Sequence, residues 1–191
     1  MDVYDIVLKR RSVRRFKQKS IPMDTLKKLV NAARVAPSAA NLQPLKYIIV
    51  KKKELVKEVF TTLKWAAYIA PKGNPPEGQR PVAYIVVLVD TKIGKKGYEI
   101  DVGTAVENIV LVAWNEGIGS CLIGSIDKQR LRNLLHIPGH LKIALVIALG
   151  LPDEYPVMEE MTDTIKYWRD ESGVHHVPKR RLEDILYVDG F

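Results

Sequence analysis

The stretch from Tyr98 to Gly117 reads as a helix with almost no polar side in its second half. Ile100, Ala105, Ile109, Val110, Leu111, Val112 and Trp114 leave hardly a face for water. A helix apolar nearly all round is buried nearly all round. In a chain of 191 residues there is room for one sizeable core and little for a second. The simplest enclosure for such a helix is a second copy of itself, so it is expected to line a homodimer interface.

The remaining segments fall into place around it. Asp2 to Arg10 forms a short amphipathic helix with Val3, Ile6 and Val7 at helical spacing and cations at its C-terminus. A second helix begins near Pro22 and Asp24, carries Leu26, Leu29, Val30 and Ala33 on one stripe, and stops before Pro37. Strands are expected at Lys46 to Lys51, Val82 to Val89, Cys121 to Ile123 and Lys142 to Leu149. Further helices run from Lys53 to about Leu63, and from a cap near Ser125 or Asp127 through Leu131, Leu134 and Leu135. The run from Pro71 to Pro81, rich in proline and glycine, is a long loop. A single domain over 1–191 is expected, with 152–191 as an extended arm whose few apolar signals suit wrapping a surface.

Several classes are excluded at this level. No apolar run approaches the roughly 18 residues of a membrane span, and Lys9, Arg10 and Arg11 are not followed by a signal-type stretch. A cytoplasmic protein without a membrane partner is expected. Cys121 is the one cysteine, so neither an intrachain disulfide nor a four-thiolate metal site can form. A net charge of +8 favours anions, whether nucleic acid, headgroups or phosphorylated cofactors. The cations are spread along the chain without a zinc finger, RNP pattern or helix-turn-helix, so nucleic acid is not the expected partner.

Two local constellations carry chemistry. RRSVRRF, Arg10 to Phe16, sets Ser12 among four arginines. It reads either as a phosphate clamp of guanidinium forks and a hydroxyl or as a helix end dressed with cations. PSAANLQP, Pro37 to Pro44, holds Ser38, Asn41 and Gln43 between two prolines. It could grip a flat ring edge or be an ordinary turn.

In that order, RRSVRRF and PSAANLQP resemble the opening of FMN-dependent nitroreductase-like proteins. DVGTAVENIVLVAWNEGIGSCLIG, Asp101 to Gly124, is similar to that family's interface helix and following turn, and ALGLP and PKRRLEDI to its closing strand and basic tail. The resemblance spans nearly the whole chain. It implies an α+β fold with a central, mainly antiparallel sheet flanked by helices, and an intertwined homodimer whose C-terminal arm reaches the partner. It makes Arg10, Arg11, Ser12 and Arg14 FMN ligands, with Arg10 and Ser12 toward the phosphate and ribityl chain and Arg14 toward the pyrimidine edge. Lys179 and Arg181 fall at the tail's phosphate positions. Pro37, Ser38, Ala39 and Asn41 come from the neighbouring subunit or the loop floor. Ile123 and Gly124 offer backbone N–H groups toward the flavin N5 region, and Asn74 is a pyrimidine contact from a poorly aligned loop. Ile123 stands where the family often has an acid, which bears on acceptor preference.

The implied activity is ping-pong transfer of hydride from NADH or NADPH, through FMN, to a nitroaromatic, quinone or flavin. Alternatives are a reductive dehalogenase, a flavin-fragmenting enzyme, or a flavin- or anion-binding module without turnover. Cys121 reads as core. His175 and His176 are adjacent, lack metal-ligand spacing and read as surface residues. Gly94 to Gly97 lacks the context of a dinucleotide fingerprint.

Overall fold

The computed structural model describes residues 2–71 and 73–191. Along the chain come α1 (Val3–Lys9), β1 (Phe16–Lys17), α2 (Met23–Arg34), β2 (Leu45–Val50), α3 (Lys53–Phe60), β3 (Ala83–Asp90), α4 (Tyr98–Asn115), β4 (Gly119–Ile123), α5 (Lys128–Leu134) and β5 (Leu141–Pro152). Three tail strands follow: β6 (Val157–Glu160), β7 (Trp168–Arg169) and β8 (His175–Lys179).

Local chemistry sets the helix ends. Asp2 caps α1 by accepting from the Val3 N–H, and Asp127 caps α5 by accepting from Arg130 N–H at 3.0 Å. α2 stops three residues short of Pro37, whose ring disfavours helical geometry in the residue before it.

β5 is the hub of the main sheet, pairing antiparallel with β3, with β4 and, at its far end, with β1, while β2 extends the sheet beyond β3. Because side chains alternate across a strand, β3 feeds two cores at once. Tyr84, Val86 and Leu88 enter one with α3 and α5, and Ile85, Val87 and Val89 enter the other with α2 and α4. A strand covered on both faces needs no polar alternation, which is why Val82 to Val89 is an unbroken apolar run. A bulge places Ala144 between the pairs Val87↔Leu145 and Leu88↔Ile143.

α4 packs Val102, Ala105, Val106, Ile109, Val110 and Ala113 against the sheet and α2. Its other side is covered only in part within one chain. Ile100 is 74 % exposed, and Leu111, Val112 and Trp114 are half-buried. The tail is more regular than its composition suggests, since β6 pairs parallel and β7 antiparallel with β8 in a separate sheet. Among the described residues no helix is long and apolar enough to cross a membrane.

Candidate functional site

The arginine segment is held by what lies beneath it. After α1 the chain extends, Val13 N–H donates to the Ser120 carbonyl at 2.9 Å, and Ser12 bridges to Ser120. Val13 and Phe16 are fully buried and lie directly on two glycines. A Cβ on Gly119 would stand 2.9 Å from Val13 Cβ, and one on Gly150 2.7 Å from Phe16 Cβ, closer than packed carbons approach. With the apolar residues pinned down, Arg10, Arg11, Ser12 and Arg14 line a pocket of about 220 Å³. Tyr167, His175, Val177 and Lys179 close it from the tail.

Arg14 is the centre of this arrangement. Its backbone N–H and that of Arg15 donate to Glu154 Oε1, while Glu154 Oε2 pairs with Arg169. Its guanidinium donates to His175 Nε2 at 2.9 Å and lies 4.8 Å from the centre of the Tyr167 ring, a cation–π contact. The Glu154 carboxylate thus fixes the main chain of Arg14 without pairing its charge. Arg11 donates to the Leu8 carbonyl at 2.7 Å and to Met158 Sδ at 2.9 Å. Burial, and then the charge of Arg10, pull its pKa below the ordinary guanidinium value. Arg10 Nε sits 3.6 Å from Glu107. The Nε atoms of Arg10, Arg11 and Arg14, and Nδ1 of His175, are buried without a hydrogen-bond partner among the described residues.

Arg14 and Tyr167 also line a second, more open pocket of about 480 Å³, whose walls include Trp65, Ala66, Ala67, Ala70, Ile123 and Gly124. Nothing stands within 4 Å of where a Gly124 Cβ would be, so its backbone faces open space. Cys121 also lines it, but the residue is 4 % exposed and burial pushes its thiol pKa up. It is a core group, not a nucleophile.

The Pro37–Pro44 loop lies elsewhere. Pro37 and Ser38 line a pocket against α2 and α4 that shares no lining residue with the arginine pocket. Ala40, Asn41 and Gln43 take positive φ (49°, 54° and 51°). Ser38 Oγ accepts from Gln43 N–H at 3.0 Å, and the Ala39 N–H donates to Asp101 Oδ1 at 2.9 Å. Asp101 is 4 % exposed, and the apolar pattern of its helix does not single it out. A lone carboxylate on the buried stripe of α4 is the signal that could have found it.

Other expected residues stand apart. Asn74 is exposed in its loop, its N–H donating to the Pro71 carbonyl at 3.1 Å. Arg181 faces Glu160, Glu183 and Asp184 on the surface, whereas Lys179 reaches the pocket. The placement of the two histidines at the surface is corrected. His175 is 1 % exposed, and His176 is half-buried between Glu159 at 2.9 Å and Asp170 at 3.2 Å, stacked on Trp168. Contacts from β6 and β7 bury them, and no local pattern encodes those.

Comparison with known proteins agrees with this architecture. A provisionally named NADH dehydrogenase/NAD(P)H nitroreductase of Archaeoglobus fulgidus is 32 % identical over 165 residues, covering 83 % of this chain and 90 % of that protein. The iodotyrosine deiodinase of Thermotoga neapolitana is 26 % identical over 167 residues, covering 80 % and 89 %. The FMN-dependent nitroreductase of Clostridium difficile shares the fold, with a TM-score of 0.67 at 23 % identity over 97 % of this chain and 98 % of that one. The profile described as Nitroreductase family matches residues 7–151, from α1 to the penultimate residue of β5, and the chain belongs to that family.

Proposed function

We propose that the chain is an FMN-dependent oxidoreductase that takes hydride from NADH or NADPH and reduces a small acceptor in ping-pong fashion, working as a homodimer. The observation that carries this reading is the set of buried nitrogens on Arg11, Arg14 and His175, without a hydrogen-bond partner among the described residues, on the wall of one pocket that Arg10 also lines. Buried donors without acceptors are costly, at about 1–3 kcal/mol each, and a phosphorylated, carbonyl-rich ligand supplies what they lack. The related nitroreductase of Clostridium difficile is FMN-dependent, which fits this donor set.

When bound, FMN supplies a ring that accepts hydride and passes electrons on, leaving the protein to bind, orient and tune. Arg10, Arg11, Ser12 and Lys179 would hold the phosphate and ribityl chain. Arg14 would place a fixed cation at the pyrimidine edge, stabilising negative charge that develops there. Ile123 and Gly124 would bring backbone groups to the ring's central region. The alanine-lined space beside them leaves room for a nicotinamide or a flat acceptor. Pro37, Ser38, Ala39 and Asn41, on a loop that lines a different pocket from Arg14 within one chain, would reach the ring from the partner subunit.

The test is the visible spectrum of the purified protein after FMN addition and washing, followed by anaerobic NADH. A bound flavin that bleaches supports the reading, and a protein that refuses FMN overturns it. Arg10→Ala is expected to weaken FMN binding about tenfold or more, the value of a charged hydrogen bond. Arg14→Ala is expected chiefly to lower the flavin potential and slow reduction. A second reading, reductive dehalogenation, has the deiodinase relative in its favour. Release of iodide from iodotyrosine by the reduced protein would select it.

A further inference from the structure

His175 is enclosed by cations, yet its ring is neutral by construction. Arg14 can only donate, so Nε2 at 2.9 Å must accept, and the ring proton resides on Nδ1. The groups facing it are the Arg14 and Arg169 guanidiniums, the Glu154 carboxylate, the adjacent His176 and the Tyr167 ring at 5.2 Å, with Arg10, Arg11 and Lys179 on the same pocket wall. Burial first, then Arg14 and Arg169, push its pKa down to about 4. Nδ1 is buried without a partner among the described residues, on a residue that lines the pocket.

A carboxylate in this position would hold Arg14 but neutralise it. A neutral imidazole orients the guanidinium and leaves its charge for the ligand. Tyr167 packs on both groups, at 4.8 Å from Arg14 and 5.2 Å from His175, and keeps them side by side.

We propose that His175 is a positioning residue, which fixes the Arg14 guanidinium through Nε2 and so presents it, still charged, to the acceptor edge of the ligand. The ligand half rests on the FMN reading. The imidazole neither gains nor loses a proton in this role.

The experiment is long-range 1H–15N correlation of the imidazoles in 15N-labelled protein, without and with FMN, alongside FMN titrations of His175→Gln and His175→Phe. Without FMN, His175 should show the neutral, Nδ1-protonated ring unchanged from pH 8 to 5, and FMN should shift its Nε2 resonance, through Arg14, while those of His136 and His140 stay in place. Glutamine can both accept from Arg14 and donate, so His175→Gln should keep FMN affinity within about threefold. His175→Phe should lose about tenfold, the scale of one buried hydrogen bond. An Nε2-protonated ring, or one titrating near 6.5, overturns the proposal. So does wild-type protein that binds FMN with the Nε2 signal unmoved. If the ring is as expected but no FMN binds, the flavin reading falls and takes the ligand half with it, while the Arg14–His175 pair stands.

Discussion

His175 and His176 are neighbours on β8 with opposite electrostatics. For His175, the folded pKa of about 4 lies below the usual 6.5, so its neutral form contributes stability that is complete above pH 6.5 and lost as pH falls toward 4. At about 1.4 kcal/mol per pKa unit the loss is about 3 kcal/mol. His176 behaves in reverse. Hydrogen bonds and charge from Asp170 and Glu159 raise its pKa, so its contribution is complete below 6.5 and fades as pH rises through the raised value. Urea denaturation between pH 8 and 4.5 should therefore show His175→Gln escaping most of the acid loss seen in the wild type, and His176→Gln losing stability mainly at the acid end of neutrality. Parallel curves for all three proteins would refute both assignments. At this scale the sequence discloses what is local and little else. The clustering of Arg10, Ser12 and Arg14 is visible in seven residues. The burial of His175 depends on Arg14, 161 positions away, and the two histidines look alike until the sheet forms.

Among the elements, the glycines of β4 and β5 determine where the arginine segment lies. Gly150→Ala puts a methyl 2.7 Å from Phe16 Cβ, a contact that can be relieved only by lifting the Val13–Phe16 stretch, and overpacking of this kind costs about 1–3 kcal/mol. The variant should melt lower than the wild type and bind FMN more weakly, whereas Gly78→Ala, with nothing within 4 Å of the new carbon, should do neither. A Gly150→Ala protein with unchanged melting would show that the segment has slack. Glu154 is the complementary tie, linking the backbone of Arg14 and Arg15 to Arg169 of β7. Removing one member of such a buried pair strands the other charge, at about 3 kcal/mol. Glu154→Ala should therefore open the tail sheet first, seen as early proteolysis between residues 157 and 179. The long strands were legible because burial on both faces writes itself as a β-branched run. The tail strands were not. β7 has two residues, β8 contains Pro178, and β6 and β8 pair across an intervening segment, so no periodicity accumulates.

At the scale of the whole molecule, one chain leaves several large apolar side chains in water. Tyr4 and Leu8 of α1, Ile100 of α4, and Leu182, Ile185 and Tyr187 of the C-terminal segment are all exposed, and the proposed homodimer would give such side chains cover. The α4 pattern pointed to such a surface from sequence alone, because a helix apolar nearly all round asks for more cover than one small domain supplies. The proposed homodimer should sediment at twice 21.6 kDa. Ile100→Glu tests it cleanly. Ile100, at 74 % exposure, contributes little to the fold of its own chain, and a carboxylate in the first turn of α4 suits the positive end of the helix, so folding should be preserved. Across an interface the same carboxylate would be buried without a partner, and dimer affinity should fall about a hundredfold, or about 3 kcal/mol. If the Ser38–Asn41 loop reaches the flavin from the partner, the monomer should also lose FMN although its own Arg10, Ser12, Arg14 and Lys179 are intact. A monomeric Ile100→Glu protein that binds FMN as tightly as the wild type would place the whole site within one chain and assign the loop a purely structural part.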